Sequence, residues 1–257
     1  MNILVCVKQV IDLDARLCID DSGRALLINE NTSYRMNEPD AYALEMALRL
    51  RDAAKGGVVH AISLGPARVE AVVRRAMGMG ADSGAVILTR PGLDLDAFAT
   101  AHCIASYARE KRFDLILAGV QSEDAMQGAV GPMIAALLGR PCATGVVTAS
   151  RQGGAEIEAV REIEGGRRER LALALPAVLT IQTGPEKPRY PSLSNMLRAN
   201  KAELESVGAD SLDPPASRLE VVRMEYPRQI RAGRMLTGDT DSKARQLWRI
   251  LGERNVL

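Results

Sequence analysis

The stretch FDLILAGVQSEDAMQGAVGPMIAALLG, residues 113–139, decides the fold. It opens on a short apolar run, Leu115 to Ala118, that stops at Gly119. A strand this uniformly apolar reads as buried on both faces, as the strands of parallel sheets are. A polar loop follows, punctuated by Gly119, Gly128 and Gly131, and then an apolar segment of helical length. Strand, loop and helix in that order make one βα unit of a parallel sheet.

The unit recurs on the N-terminal side. NILVCVKQV (2–10) reads as a buried first strand and NEPDAYALEMALRLRDA (37–53) as a helix with Pro39 and Asp40 in its first turn. GVVHAISLGP (57–66) is a strand, and ARVEAVVRRAMGMG (67–80) a helix stopped by Gly78 and Gly80. GAVILTR (84–90) is a strand, and DLDAFATAHCIASYAREKR (94–112) a helix with acidic residues at its start and basic ones at its end. DLDARLCIDDSGRALLI (12–28) reads as a hairpin turning at Ser22-Gly23. On the C-terminal side, TGVVTASR (144–151), GAEIEAVREIEGG (154–166) and RRERLALALPAVLTIQTG (167–184) read as strands. The expected fold is a parallel-sheet, Rossmann-like α/β domain over residues 1–205, with right-handed crossovers. Residues 206–257 read as a linker, GADSLDPPAS (208–217), and a C-terminal arm. From Arg218 onward the arm has nine Lys and Arg against five Asp and Glu, too polar to build its own core.

In such sheets ligands bind beyond the carboxyl ends of the strands. The loops that gather there are Gln9–Asp14, Ser63–Arg68, Thr89–Asp96 and Ala118–Val130. The last, followed by a helix N-terminus, has the composition of an anion-binding turn, although it is neither GxGxxG nor a P-loop. An ordinary glycine-rich βα turn explains the same residues. Asp96 and Thr100, on the first turn of their helix, read as caps or as ligands of a ribose or phosphate.

Composition excludes several functions. Of 257 residues, 47% are hydrophobic and 25% charged, as in ordinary globular proteins. A net charge of +1 and 3% aromatics argue against a nucleic-acid partner. No run of about 18 apolar residues exists, so no membrane insertion is expected. Cys6, Cys18, Cys103 and Cys142 are scattered without a CxxC, which fits reduced thiols in a cytoplasmic compartment. The N-terminal apolar run, broken by Lys8, does not read as a signal peptide. His60 and His102 read as structural, Asp12, Asp14, Asp20 and Asp21 are too irregular for a Ca²⁺ loop, and no catalytic acid–base pair or nucleophile stands out.

Taken together, ILVCVKQV, MNEPDAYALEMALRLRD, SLGP, AMGMGAD, AGVQSED and above all REIEGGRRERLALALPAVLTIQTGPEKPRYPSL resemble the β subunit of electron transfer flavoprotein, over nearly the whole chain. The resemblance implies a heterodimer with an α subunit that holds most of an FAD. It implies an electron carrier, not an enzyme, working between flavin dehydrogenases, such as an acyl-CoA dehydrogenase, and a quinone-reducing or other downstream acceptor. It also implies a nucleotide in the β subunit: AMP in the ordinary branch, a second FAD in the electron-bifurcating branch.

Carried onto this chain, the nucleotide site uses Cys6; Asn37, Glu38, Pro39 and Asp40 on the adenine and ribose side; and Leu64. The phosphate loop comprises Gly119, Val120, Gln121, Ser122, Glu123, Asp124, Ala125, Met126, Gln127, Gly128, Ala129 and Val130, and Asp96 and Thr100 lie at the neighbouring helix start. Gln121, Ser122 and Asp124 match the family pattern best. Ala125, Met126, Gln127 and Ala129 replace acidic, Thr or Gln residues, and Val130 lacks a hydroxyl that some members offer. Asp96, Ala99 and Thr100 resemble the bifurcating branch, as does Val130 followed by Gly-Pro. Ala97 and Ala101 lack two of its hydroxyls, which favours AMP over a second FAD.

The resemblance also gives KPRYPSLSNMLR (187–198) a meaning. It reads as a recognition loop stiffened by Pro188 and Pro191, in which Leu193 anchors a dehydrogenase and Arg189 and Tyr190 flank it. A buried leucine contributes about 1.5–3 kcal/mol, fitting a reversible contact. Glu162 matches a glutamate linked to the same recognition. The competing reading from another class is a stand-alone nucleotide-binding regulatory or stress protein, which needs neither this loop nor a basic arm.

Overall fold

The computed structural model describes residues 1–12, 17–90, 93, 95–151, 153–227, 233 and 235–254. The loops expected at Gln9–Asp14 and Thr89–Asp96 are therefore described only in part, and Asp14 lies outside the described residues. Two compact units divide the chain: Met1–Cys18 with Leu26–Val221, and Ile19–Ala25 with Val222–Leu257.

The larger unit contains β1 (Asn2–Cys6), β2 (Gln9–Ile11), β3 (Tyr34–Met36), α1 (Glu38–Ala53), β4 (Val58–Gly65), α2 (Glu70–Met79), β5 (Ser83–Leu88) and α3 (Ala97–Arg109). It continues through β6 (Leu115–Gly119), α4 (Val130–Leu138), β7 (Cys142–Ser150), β8 (Glu156–Ile163), β9 (Arg167–Ala174), β10 (Ala177–Ile181), α5 (Leu193–Lys201) and β11 (Glu205–Gly208). Among the described residues nine strands form one sheet, in the order β11-β5-β4-β1-β6-β10-β7-β8-β9. Pairing is parallel from β11 through β7, as the βα pattern predicts.

β8 and β9 instead pair antiparallel with their neighbours. Among the described residues no α-helix intervenes between β7, β8 and β9, and a parallel return needs a crossover of a dozen or more residues. The turn at Gly165 and Gly166, both at positive φ, closes the second hairpin.

Helices cover both faces of the parallel region. Side chains of α1 and α2 share a core with Ile3, Val5 and Leu117, and Ala199 of α5 joins it. On the opposite face, α3 and α4 pack on Leu4, Cys6, Ile62 and Ile116. Alternation along each strand sends Val5 to one face and Cys6 to the other.

Four local readings change. The first predicted strand breaks after Cys6 because Lys8 turns its backbone to α1: its N–H donates to Asp40 Oδ2 at 2.7 Å and its carbonyl accepts the Asn37 N–H at 2.9 Å. β2 then pairs antiparallel with β3. Gly78 lies inside α2, which ends at Gly80 with φ of 129°. The segment read as a loop over 187–198 becomes helical from Leu193, N-capped by Ser192, whose Oγ accepts the Asn195 N–H at 3.2 Å. Where composition reads as linker, Glu205–Gly208 pairs with β5 and Ala209 is buried.

The smaller unit shows the expected turn: Gly23, at φ of 68°, donates its N–H to the Asp20 carbonyl at 3.0 Å. It also holds α6 (Thr240–Glu253), N-capped by Asp239, with Leu247 and Trp248 exposed. Among the described residues no helix is long and apolar enough to cross a membrane.

Candidate functional site

After β1 the chain moves to β4 and β5, and α3 then carries it back to β6 on the other side of β1. β1 and β6 therefore form a topological switch point, beyond whose carboxyl ends sheets of this kind place their ligand crevice. The predicted residues converge there. Cys6 ends β1, Leu64 lies near the end of β4 and Gly119 ends β6. Cys6, Leu64 and Val130 all belong to the face covered by α3 and α4. Asn37 stands at the N-cap position of α1 without a side-chain capping bond, with exposed Glu38 and buried Pro39 and Asp40 in the first turn.

Asn37 and Asp40 are committed to the chain itself. Asp40 accepts the Lys8 N–H on one oxygen and the Gly119 N–H, at 2.9 Å, on the other. Asn37 donates from Nδ2 to the Gln121 carbonyl at 3.0 Å and accepts the Glu123 N–H at 3.0 Å. These bonds fix the turn after β6 against the turn after β1. Gly119 is required by closeness: a Cβ there would overlap Asp40 Oδ1 and lie 2.8 Å from Pro39 Cβ.

The loop's charges are internally matched. Lys8 Nζ lies 2.6 Å from Asp124 Oδ1 and donates to Ser122 Oγ at 3.2 Å. Arg35 Nη2 donates to Glu123 Oε1 at 2.8 Å. Burial opposes ionisation of Asp124, but bonds from Lys8 and Ser122 outweigh it and hold the carboxyl below the usual range. Burial pushes Asp40 up to about 7 against its hydrogen bonds. Burial, and next to it the Asp40 charge, raises the Cys6 thiol far enough to leave it a neutral apolar surface.

The rest of the loop, Val120, Ala125, Met126, Gln127, Gly128 and Ala129, leads into α4. Met126 sits at φ of 50° and Gly128 at 61°. α4 begins at Val130 without a side-chain cap. At α3 the case differs: Asp96 accepts the Ala99 N–H at 2.8 Å and the Arg218 N–H at 2.8 Å, so capping is its role here. These bonds hold Asp96 below the usual carboxylate range. Thr100 sits one turn further on.

A nucleotide's phosphate needs N–H donors, and the uncapped start of α4 supplies them beside a loop with two left-handed residues. Buried Ser63 Oγ, near the end of β4, and Glu123 Oε2 have no hydrogen-bond partner among the described residues. The residues present fit a nucleotide in this crevice. Lys8 and Arg35 escaped the sequence reading. Lys8 left a trace, a cation closing an apolar strand; Arg35 left none.

The second predicted region lies apart from the crevice. Tyr190 is 91% exposed and Leu193 79%, with Leu197 one turn on at 57%. Arg189 faces inward: its guanidinium makes a two-pronged pair with Glu45, at 2.8 and 2.9 Å. Met196 and Pro191 pack against Gly78 of α2, and Arg74 donates to the Ala199 and Ala202 carbonyls at the end of α5. Glu162, near the end of β8, pairs with Arg168 of β9 at 3.3 Å, and no hydrogen bond or ion pair among the described residues ties it to segment 187–198.

The sheet and its switch-point crevice define a Rossmann-like α/β protein. A family profile, the electron transfer flavoprotein domain, matches residues 25–212. The electron transfer flavoprotein subunit beta of Bacillus subtilis is 31% identical, with 98% of this chain and 97% of the relative covered. That of Thermoanaerobacterium thermosaccharolyticum is 33% identical over the full length of both. The human subunit is 32% identical, with 97% and 99% covered. The chain belongs to the electron transfer flavoprotein family, among its beta subunits.

Proposed function

We propose that this chain is the β half of a heterodimeric electron carrier and that its switch-point crevice binds AMP. An α subunit would hold most of the FAD, and flavin dehydrogenases, such as an acyl-CoA dehydrogenase, and a quinone-reducing or other acceptor would be the redox partners. Bound flavin supplies the redox chemistry; this chain binds, orients and docks. No residue of it is assigned a catalytic role.

The observation that carries the nucleotide reading is the uncapped start of α4 at the end of the loop that holds the Lys8–Ser122–Asp124 cluster. Lys8 and Arg35 are each already paired with an acidic side chain of the loop, which favours one phosphate over the two of a dinucleotide. The same economy of donors appears at α3, whose first turn is closed by Asp96. The polar segment from Arg218 onward serves, in this reading, as an arm on the α subunit.

Denaturing the purified heterodimer and counting released nucleotides by chromatography tests the assignment. One FAD and one AMP per heterodimer support it. Two FAD without AMP would replace it with the bifurcating alternative. A chain that purifies alone, carries a nucleotide and resists proteolysis in its C-terminal arm would favour the stand-alone regulatory reading.

A further inference from the structure

Glu45 is a charged residue that the fold buries almost completely. Its carboxylate is filled by one partner. Oε2 accepts the Arg189 backbone N–H at 3.0 Å and its Nε–H at 2.8 Å, and Oε1 accepts from Nη2 at 2.9 Å. The pairing fixes both the backbone and the side chain of Arg189, and the planar fork leaves little rotational freedom. Two neighbours along α1 extend it. Arg49 pairs with Glu186, and Asp52 lies 3.5 Å from Arg189 Nη2. Residues 45, 49 and 52 are spaced to share one helix face. That face therefore clamps the chain just before it emerges at Tyr190 and Leu193.

We infer that Glu45 is the positioning residue of the docking segment: through Arg189 it presents Tyr190 and Leu193 to a redox partner in a fixed pose. This rests on the reading of that segment as a docking surface. The inference adds a reason for the geometry. An exposed anchor binds best when its backbone is ordered before contact, because less freedom is then lost on docking. Tyr190 and Leu193 have no burial of their own to order them, so the order must come from the residues beneath. Arg189 supplies it at the first residue before the exposed pair, and α5 supplies it after. The first turn of α1, through Asn37 and Asp40, holds the crevice loop instead. The two duties sit on different turns of one helix, and a change at Glu45 should separate them.

The test uses the full heterodimer with Glu45→Gln, Arg189→Lys and, as a control on the docking reading, Leu193→Ala. Either of the first two removes part of the fork while keeping side-chain size near the original. Amide hydrogen exchange over residues 189–197 and tryptic cutting after position 189, which is basic in every variant, should each rise at least fivefold. The KM for the carrier, with the flavin dehydrogenase that reduces the wild type fastest, should rise three- to tenfold. Saturating kcat and nucleotide content should stay unchanged. A general loss of stability would instead raise exchange throughout the chain and lower nucleotide content. Unchanged exchange at 189–197 in both variants overturns the inference, as does a fall in kcat at constant KM. If Leu193→Ala leaves KM unchanged, the docking reading fails by itself, and the exchange result still decides whether Glu45 orders the segment.

Discussion

Lys8 Nζ meets Asp124 Oδ1 at 2.6 Å, so a cation beside the candidate phosphate loop is already neutralised. Both side chains are more than two-fifths exposed, and a pair of that kind adds little to stability. Its value lies in charge balance. Lys8→Met should leave the fold intact but leave Asp124 without its cation, facing a bound phosphate. We expect AMP to bind about tenfold more weakly, roughly 1.4 kcal/mol, with Lys8→Arg close to wild type. Calorimetry on the nucleotide-stripped heterodimer measures this; equal affinities for Met and wild type would remove Lys8 from the site.

Asp40 gives a prediction with a pH signature. In Asp40→Asn the amide NH₂ must face either the Lys8 or the Gly119 N–H, leaving a buried donor unpaired at a cost of about 1–3 kcal/mol. Burial raises the Asp40 pKa to about 7, so between about pH 4 and 7 the folded state holds a proton that the unfolded state releases. That contribution to stability is complete below about pH 4 and is lost as pH rises through 7, at up to ~1.4 kcal/mol per pH unit. The wild type should therefore lose more stability than Asp40→Asn between pH 5 and 8. Parallel denaturation midpoints across that range would refute the shift.

These two residues mark what the sequence could and could not reveal. The parallel strands were legible because Ile3, Leu4, Leu115, Ile116 and Leu117 are apolar without alternation, and that pattern has one common cause. The crevice loop was legible from its glycines and its place after a strand. Its partners were not, since Asp40 and Lys8 are 32 residues apart and each reads locally as something else, a helix first turn and a strand end. The α5 helix was masked by Pro188 and Pro191, although Ser192 carries an ordinary N-cap signal. Arg189 read as a flank of the docking loop because nothing in its neighbourhood shows that Glu45, 144 residues earlier, is buried beneath it.

Gly119→Ala probes the closeness of the two turns. The added methyl would overlap Asp40 Oδ1 and sit 3.0 Å from the Asp40 N, and the α1 backbone cannot yield as a side-chain tip can. We expect a loss of about 1–3 kcal/mol, together with release of the bound nucleotide, because the Gly119 N–H can no longer reach its carboxylate. Thermal melting with and without added AMP checks both. A variant with wild-type melting and wild-type AMP content would show that the turns have room to separate.

Gly78→Ala acts on the other region, and its outcome should differ in kind. A Cβ at Gly78 would overlap Met196 Sδ and lie 3.2 Å from Pro191 Cβ. Met196 is flexible and can swing away, so the cost in stability should stay near or below 1 kcal/mol, partly offset by alanine's better helix propensity within α2. Pro191 is rigid and directly follows Tyr190, so the start of α5 must lift from α2. Nucleotide content should be unchanged while reduction by the flavin dehydrogenase slows severalfold at sub-saturating carrier. Gly78→Ala combined with Met196→Ala, which vacates the contested space, should recover part of the rate. No recovery, or a loss of nucleotide in the single variant, would mean that the α2–α5 contact does not set the docking surface.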